Sequence, residues 1–442
     1  MRFGSSWDAK YLYPPRELIL TPSDIEKFET MANQLVAETL QENEEFIAQH
    51  RTVDLDRWKV VMEKGSMTAY RSRSRRPRRG RRGRLETEEA VESSFIQRPK
   101  LYSTDIPLNE LAGCGYSHLS YESSNYGSSY FEGSDYTDHS RLDLESPEQS
   151  MLGKARPRNT PLIFGGGVIP GSVDDAGLGF LADTADRTIM RVATSKDMSV
   201  KDIRILAHIH GPTKDDPFRY LGIKWNSFAT TKAGGVVSKQ RDIVVLESTG
   251  LILDSTGERV YYFLSHSVEI EEVPEFRKQG LVRLRSSSCR IVRPHSSPGE
   301  VEVYFRGFCN AGGHLTVAAS TYLFCEFVLD TAQIVEESYL KKLAWFVHAC
   351  APRQRSDKED DERHEGCSCC HKLPTKGFKK LLESTTTCFL CRHKICKRCT
   401  VRKHLPIDSA SKKSLDFCIT CYLKAKKLPA LQVAMATMAA PV

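Results

Sequence analysis

Eight cysteines stand in four Cys-x-x-Cys pairs: Cys367 with Cys370, Cys388 with Cys391, Cys396 with Cys399, and Cys418 with Cys421. Two intervening residues let both thiolates of one tight turn reach the same tetrahedral ion, at metal–sulfur distances of about 2.3 Å. Thiolate-rich sets favour zinc over harder cations, although iron also accepts them. A redox-active Cys-x-x-Cys predicts a single pair near a βαβ unit, not four in series. Residues 366–426 are therefore expected to fold around two zinc ions and to depend on them, because so small a module has little core of its own.

The other chemistry-bearing residues carry less. Cys369 is left over beside the first pair, and His364, His371, His393 and His404 lie nearby, but eight cysteines already close two sites. Cys114, Cys289, Cys309, Cys325 and Cys350 are scattered, mostly in apolar runs where free cysteine packs as a small hydrophobe. No Gly-rich phosphate loop, His-Glu-x-x-His or Gly-x-Ser-x-Gly is present, and Gly165-Gly166-Gly167 lacks the spacing of a nucleotide site. No enzymatic activity is expected.

The 442 residues have room for two or three domains, and 40% hydrophobic with 27% charged residues describe a soluble chain with at least one sizeable core. No apolar run is long enough to span a membrane. Met1 to Asp8 has no apolar core, so no secretory leader is expected there. A cytoplasmic location follows, peripheral at endosomal or other membranes, with the nucleus as the alternative. Thiols stay reduced in those compartments, which again favours metal over disulfides.

The intervals between the pairs are 17, 4 and 18 residues. This pattern is similar to FYVE-type zinc fingers, whose four-residue middle gap is a hallmark. The resemblance implies a cross-brace: Cys367, Cys370, Cys396 and Cys399 on one zinc, Cys388, Cys391, Cys418 and Cys421 on the other. It also implies phosphatidylinositol 3-phosphate binding, but the basic elements that read that headgroup are missing. Ser384 to Thr387 stands where Arg/Lys and two His are normal, no Trp lies in 358–366, and Asp416-Phe417 replaces the late Arg. A bidentate Arg grip on phosphate is thus not expected. Basic residues remain, among them Lys394, Lys397 and Arg398, which suit contact with an anionic membrane or a protein partner.

These features must be positioned by the rest of the chain. Residues 21–50 read as an amphipathic helix, with Thr21 and Asp24 at capping-box spacing and Ile25, Phe28, Met31, Leu35, Leu40, Phe46 and Ile47 as its apolar stripe. Trp58 to Met62 and Met67 to Tyr70 read as a hairpin about Gly65-Ser66. Val168 to Gly171 leads into a helix expected at 172–183. Runs at 242–246, 260–264, 281–284, 301–305 and 315–327 read as strands, joined too closely for crossover helices and so antiparallel. A last helix is expected from about Thr331 to Ala349, with Ile334, Val335, Leu340, Leu343, Phe346 and Val347 as its stripe. The charged stretch 351–365 reads as a linker, and 1–20 and 427–442 as tails, the latter frayed.

That order of elements resembles a START-type lipid-transfer domain over 21–70 and 160–350. The expected fold class is α+β: a helix-grip domain of curved antiparallel sheet and long C-terminal helix, plus the small two-zinc finger. The resemblance implies an internal cavity for one lipid and assigns no catalytic residue; the lipid-contacting residues stay unassigned.

Between hairpin and sheet, 71–159 is Arg-rich, then Ser/Tyr/Gly-rich, and is expected to be disordered. Its nine arginines are Arg71, Arg73, Arg75, Arg76, Arg78, Arg79, Arg81, Arg82 and Arg84. They suit a nonspecific polyanion or membrane contact. Without interleaved aromatics they give no base-stacking platform, so nucleic acid is a weaker third partner. The leading expectation is a lipid-binding adaptor; a regulatory protein-interaction scaffold is the runner-up.

Overall fold

The computed structural model describes residues 14–15, 17–73, 150–185, 187–188, 191, 198–230, 239–330, 332–350, 366–372, 386–406 and 412–438. The first helix, α1 (Pro22–Ala48), starts as expected: Thr21 Oγ1 accepts from the Asp24 amide, and the Asp24 carboxylate accepts from the Thr21 amide. Its buried stripe is Phe28, Ala32, Leu35, Val36, Thr39 and Asn43. The hairpin β1 (Trp58–Lys64) and β2 (Met67–Ser72) follows.

Then come α2 (Met151–Ala155), β3 (Ile163–Pro170), α3 (Val173–Phe180), β4 (Met198–His210), β5 (Tyr220–Thr230), β6 (Arg241–Leu253) and β7 (Arg259–Ser267). After these lie β8 (Val282–Arg283), β9 (Arg285–Pro294), β10 (Glu300–Asn310), α4 (Val317–Leu329) and α5 (Ala332–Cys350). The main sheet runs β1-β2-β3-β10-β9-β7-β6-β5-β4, every neighbour on that path antiparallel, with β8 pairing parallel to β6 at one end. The expected antiparallel sheet closed by C-terminal helix is therefore present, with that helix in two pieces, α4 and α5, against the sheet.

The two faces of the sheet have separate cores, and strand alternation divides them. Along β7, Val260, Tyr262 and Leu264 join the core under α1, while Tyr261 and Phe263 join the core under α3, α4 and α5. The three glycines of β3 are steric, not catalytic. A Cβ on Gly166 would lie 2.3 Å from the Val303 carbonyl oxygen of β10, so the neighbouring strand admits no side chain there.

Four expectations change. The 315–327 run is helix α4, not strand: Thr316 caps it, and its buried residues Ser320, Thr321, Phe324, Cys325, Val328 and Leu329 fall at three- and four-residue spacing, not two. The helix expected at 172–183 ends at Phe180. The insertion expected from 71 to 159 is ordered at both ends, since Arg71 pairs with Ile163 in the sheet and Ser150 caps α2, whose Leu152 is buried; 74–149 lies outside the described residues. The tail expected to fray forms α7, described below. Strands β3, β4, β5 and β9 of the main sheet were not expected at all. No helix among the described residues is long and apolar enough to cross a membrane.

The C-terminal module holds two small pairs of strands, β11 (Thr386–Thr387) with β12 (Lys394–Ile395) and β13 (Thr400–Pro406) with β14 (Lys412–Cys418). Helices α6 (Ile419–Lys426) and α7 (Ala430–Ala436) complete it.

Candidate functional site: an internal cavity and two thiol quartets

A cavity of about 200 Å³ lies between one sheet face and the helices. By the same measure a water needs only about 10–15 Å³, so the space accommodates an organic ligand. Its sheet wall shows a period of two: Asn226 and Phe228 on β5, Arg241, Ile243, Val245 and Glu247 on β6, Phe263 and Ser265 on β7, Ser286, Ser288 and Arg290 on β9. Phe180 of α3, Leu323, Phe324 and Phe327 of α4, and Gln333, Ile334 and Glu337 of α5 close the other side. Phe327 is 44% exposed while lining the cavity, so the space reaches the surface beside α4.

The polar lining is organised around Glu247. Arg191 donates to its carboxylate at 2.6 and 3.1 Å, and the fully buried Lys224 donates at 2.5 Å. Burial pushes the Glu247 pKa up, but Arg191 and Lys224 outweigh it and hold the carboxylate below its usual range. Burial pulls the Lys224 ammonium down to about 8, against the attraction of Glu247. The buried Arg290 guanidinium lies over the rings of Phe327, Phe263 and Phe180 at 5.3, 5.4 and 5.8 Å. Burial, with repulsion from Arg191, lowers its pKa to about 10. Arg241 is spent on the backbone, donating to the carbonyls of Ala311 and Lys239 at 2.9 and 2.8 Å. Asn226 Oδ1 is different: it is buried and accepts no hydrogen bond among the described residues.

The second site is the cysteine module. Cys367, Cys370, Cys396 and Cys399 bring their sulfurs within 4.8 Å of one another, and so do Cys388, Cys391, Cys418 and Cys421. Each group could hold a metal ion, and the two groups are the sets that the cross-brace resemblance implies. A tetrahedron with metal–sulfur bonds of about 2.3 Å has edges of about 3.8 Å. Cys370 and Cys396 are 3.8 Å apart and Cys391 and Cys418 3.9 Å, so the donor set fits a thiophilic ion. None of these cysteines is in a disulfide.

Local turns place the sulfurs. His371 follows Cys370 at φ +54° and Arg392 follows Cys391 at φ +64°, so both knuckles close through a left-handed residue after the second cysteine. The amides of Cys418 and Cys421 each donate to a sulfur at 3.2 Å. Cys418 also caps α6, which anchors that helix to its quartet. Cys369 stays outside both groups, 3.9 Å from Thr420 Oγ1. The described histidines His371, His393 and His404 also stay outside. Cys289, Cys309 and Cys325 are buried, and burial pushes their thiols up to about 12.

Of the expected contact residues, Lys394, Lys397 and Arg398 are exposed. Arg73 lies at the start of the insertion, its Nε donating to the carbonyls of Leu55 and Trp58. Arg75, Arg76, Arg78, Arg79, Arg81, Arg82 and Arg84 lie outside the described residues. Asp416, where the finger pattern has an arginine, accepts from Arg402 at 2.7 and 2.9 Å and from Thr386. The sequence assigned no residue to the cavity: Ile243, Val245, Phe263 and Ile334 lie in elements that were expected, but nothing local says which alternate set of a strand faces the helices.

No protein-family profile and no curated protein sequence matches the chain. Among solved structures it is similar to human STARD10, at 10% identity and a TM-score of 0.35, over 76% of this chain and 86% of that one. It is similar to human StAR-related lipid transfer protein 5 at 14% identity and a TM-score of 0.34, over 69% and 97%. A third likeness is to the human StarD13 (DLC2) lipid transfer and protein localization domain, at 16% and 0.29, over 42% and 81%. At these scores the neighbours add no weight to what the cavity and the quartets carry.

Proposed function

We propose that the protein is a non-enzymatic lipid-binding or lipid-transfer adaptor. The carrying observation is the cavity between sheet and C-terminal helices, apolar over most of its wall, with a few convergent polar groups and a mouth at Phe327. The quartets hold two zinc ions, and the finger they build is FYVE-related. Lys394, Lys397 and Arg398 form its contact with an anionic membrane or a protein partner, and the location that goes with this reading is the cytoplasm, peripheral at membranes. The pairing of Asp416 with Arg402 speaks against a retained grip on phosphoinositide, because a carboxylate neutralises that arginine.

The lining also selects the headgroup. Its cations are Arg191, Arg241 and Arg290 and its carboxylates Glu247, Asp330 and Glu337, so the lining is charge-balanced. Asn226 Oδ1 offers an acceptor and Ser265 and Ser286 offer hydroxyls. That set suits an uncharged head bearing hydroxyl or amide donors better than a phosphate. Incubation with vesicles containing a fluorescent sterol, ceramide or phosphatidylcholine tests this. Capture of the first two over the third is expected; capture of phosphatidylcholine alone contradicts the headgroup reading, and capture of none contradicts the function.

A further inference from the structure

The thiol module and the cavity share a wall. Helix α5 turns Ile334 and Glu337 toward the cavity, and one to three turns later Leu343 and Phe346 enter the core of the module beside Cys388 and Phe417. Helix α6 begins on the second quartet and leads within a few residues into α7. There Ala430, Val433 and Ala434 are buried in the same core as Phe180 and Ile334. Gly179 makes the α3–α5 contact close, since a Cβ there would lie 2.2 Å from the Ile334 carbonyl oxygen. Polar ties span the junction: Lys342 Nζ donates to Asp175 on α3 and to the Lys426 carbonyl on α6, and Lys403 pairs with Glu336 at 3.3 Å.

We infer that the module is a metal-set buttress of the cavity wall, so that metal at the second quartet governs how firmly α3 and α5 close over the ligand. The inference rests on reading the quartets as metal sites. Without metal, four thiols converge with nothing to bind them, and folding free energy that the ion supplies is lost. Helix α6 then loses its anchor and α7 its tether, and the outer sides of α3 and α5 are uncovered. Local opening of a wall, not global unfolding, is the expected consequence. Such a wall would release ligand wherever a strong chelator or a thiol oxidant reaches Cys418 or Cys421.

Hydrogen–deuterium exchange of the full, ligand-free chain, with and without a zinc chelator, tests this. Chelation should raise exchange across 366–426 and, by at least about tenfold, across Val173–Phe180 and Ala332–Cys350, while α1 and the β6–β7 hairpin stay protected. A rise confined to 366–426 overturns the inference, and so does an equal rise in α1 and β6–β7. The variant Val433→Asp separates metal from contact: it should keep two metals by native mass yet exchange at α3 and α5 like the chelated protein. Unchanged protection there in Val433→Asp also overturns it. Because no lipid enters the measurement, a failed lipid capture and a failed buttress are distinguishable.

Discussion

Lys342 of α5 and Asp175 of α3 form a buried ion pair, Nζ to Oδ1 at 2.5 Å, with the lysine side chain only 3% exposed. The same ammonium reaches the last residue of α6, and Ser338 Oγ donates to the same carboxylate oxygen at 3.0 Å. One side chain thus ties two of the helices that roof the cavity, α3 and α5, to the thiol module. Removing one partner of a buried pair strands the other, at about 3–5 kcal/mol. Serines also serve Asp175, so Lys342→Met should cost about 3 kcal/mol in urea unfolding. Adding Asp175→Asn should recover part of that loss; purely additive losses would show that the pair is not coupled.

Filling the cavity should abolish ligand uptake without touching the metal sites. Ala311 is buried and lines the space next to Cys309. Ala311→Phe places a ring in a cavity of about 200 Å³ and should cut fluorescent-lipid capture at least about tenfold, at unchanged metal content. Wild-type capture by this variant would mean that lipid binds elsewhere.

Acid should weaken the fold through His266. The ring is buried on β7, 2.9 Å from Ser287 Oγ, and burial lowers its pKa to about 4. The unfolded chain takes up that proton near pH 6.5, the folded chain only near 4, so between these values the unfolded state binds more protons. The His266 contribution is therefore complete above pH 6.5 and is lost progressively down to about 4, by about 3 kcal/mol in total. In chemical unfolding at a series of pH values, His266→Gln should show a shallower acid decline than the parent. Parallel curves would contradict a proton-free His266.

The two quartets should load and empty separately. Cys421→Ser removes one sulfur from the second quartet and should lower the metal count from two to one, leaving the Cys367 quartet filled. Loss of both metals would mean that the two sites fold as one unit, and retention of both would show that Cys421 is not a ligand.

Much of this was legible in the residue order. The capping box at Thr21, the Gly65-Ser66 hairpin and the stripe of α5 each rest on local chemistry that tertiary structure did not override. The cysteine pairs were legible because metal coordination demands a spacing that chance rarely supplies. Strand β9 was not, because Ser286, Ser287, Ser288 and Arg290 leave it few apolar residues, whereas β5 does carry a period-two signal, Leu221, Ile223 and Trp225 alternating with Gly222, Lys224 and Asn226. Ser286, Ser288 and Arg290 line the cavity, so on β9 the site of function was the site of illegibility. On β6 the strand itself was clear, but nothing local says which alternate set, Arg241-Ile243-Val245-Glu247 or its complement, faces the helices. The apolar run of α4 misled because a short apolar stretch suits either period. The small residues of α7 gave no stripe strong enough to announce a docked helix.

The most direct test of a lipid-holding, two-zinc protein is native mass spectrometry of the intact chain after incubation with mixed-lipid vesicles, with the denatured mass as reference. Two zinc ions and one lipid-sized adduct, lost on denaturation, are the expected result. Two zinc ions with no adduct would contradict the lipid-binding function and leave a metal-stabilised interaction scaffold in its place.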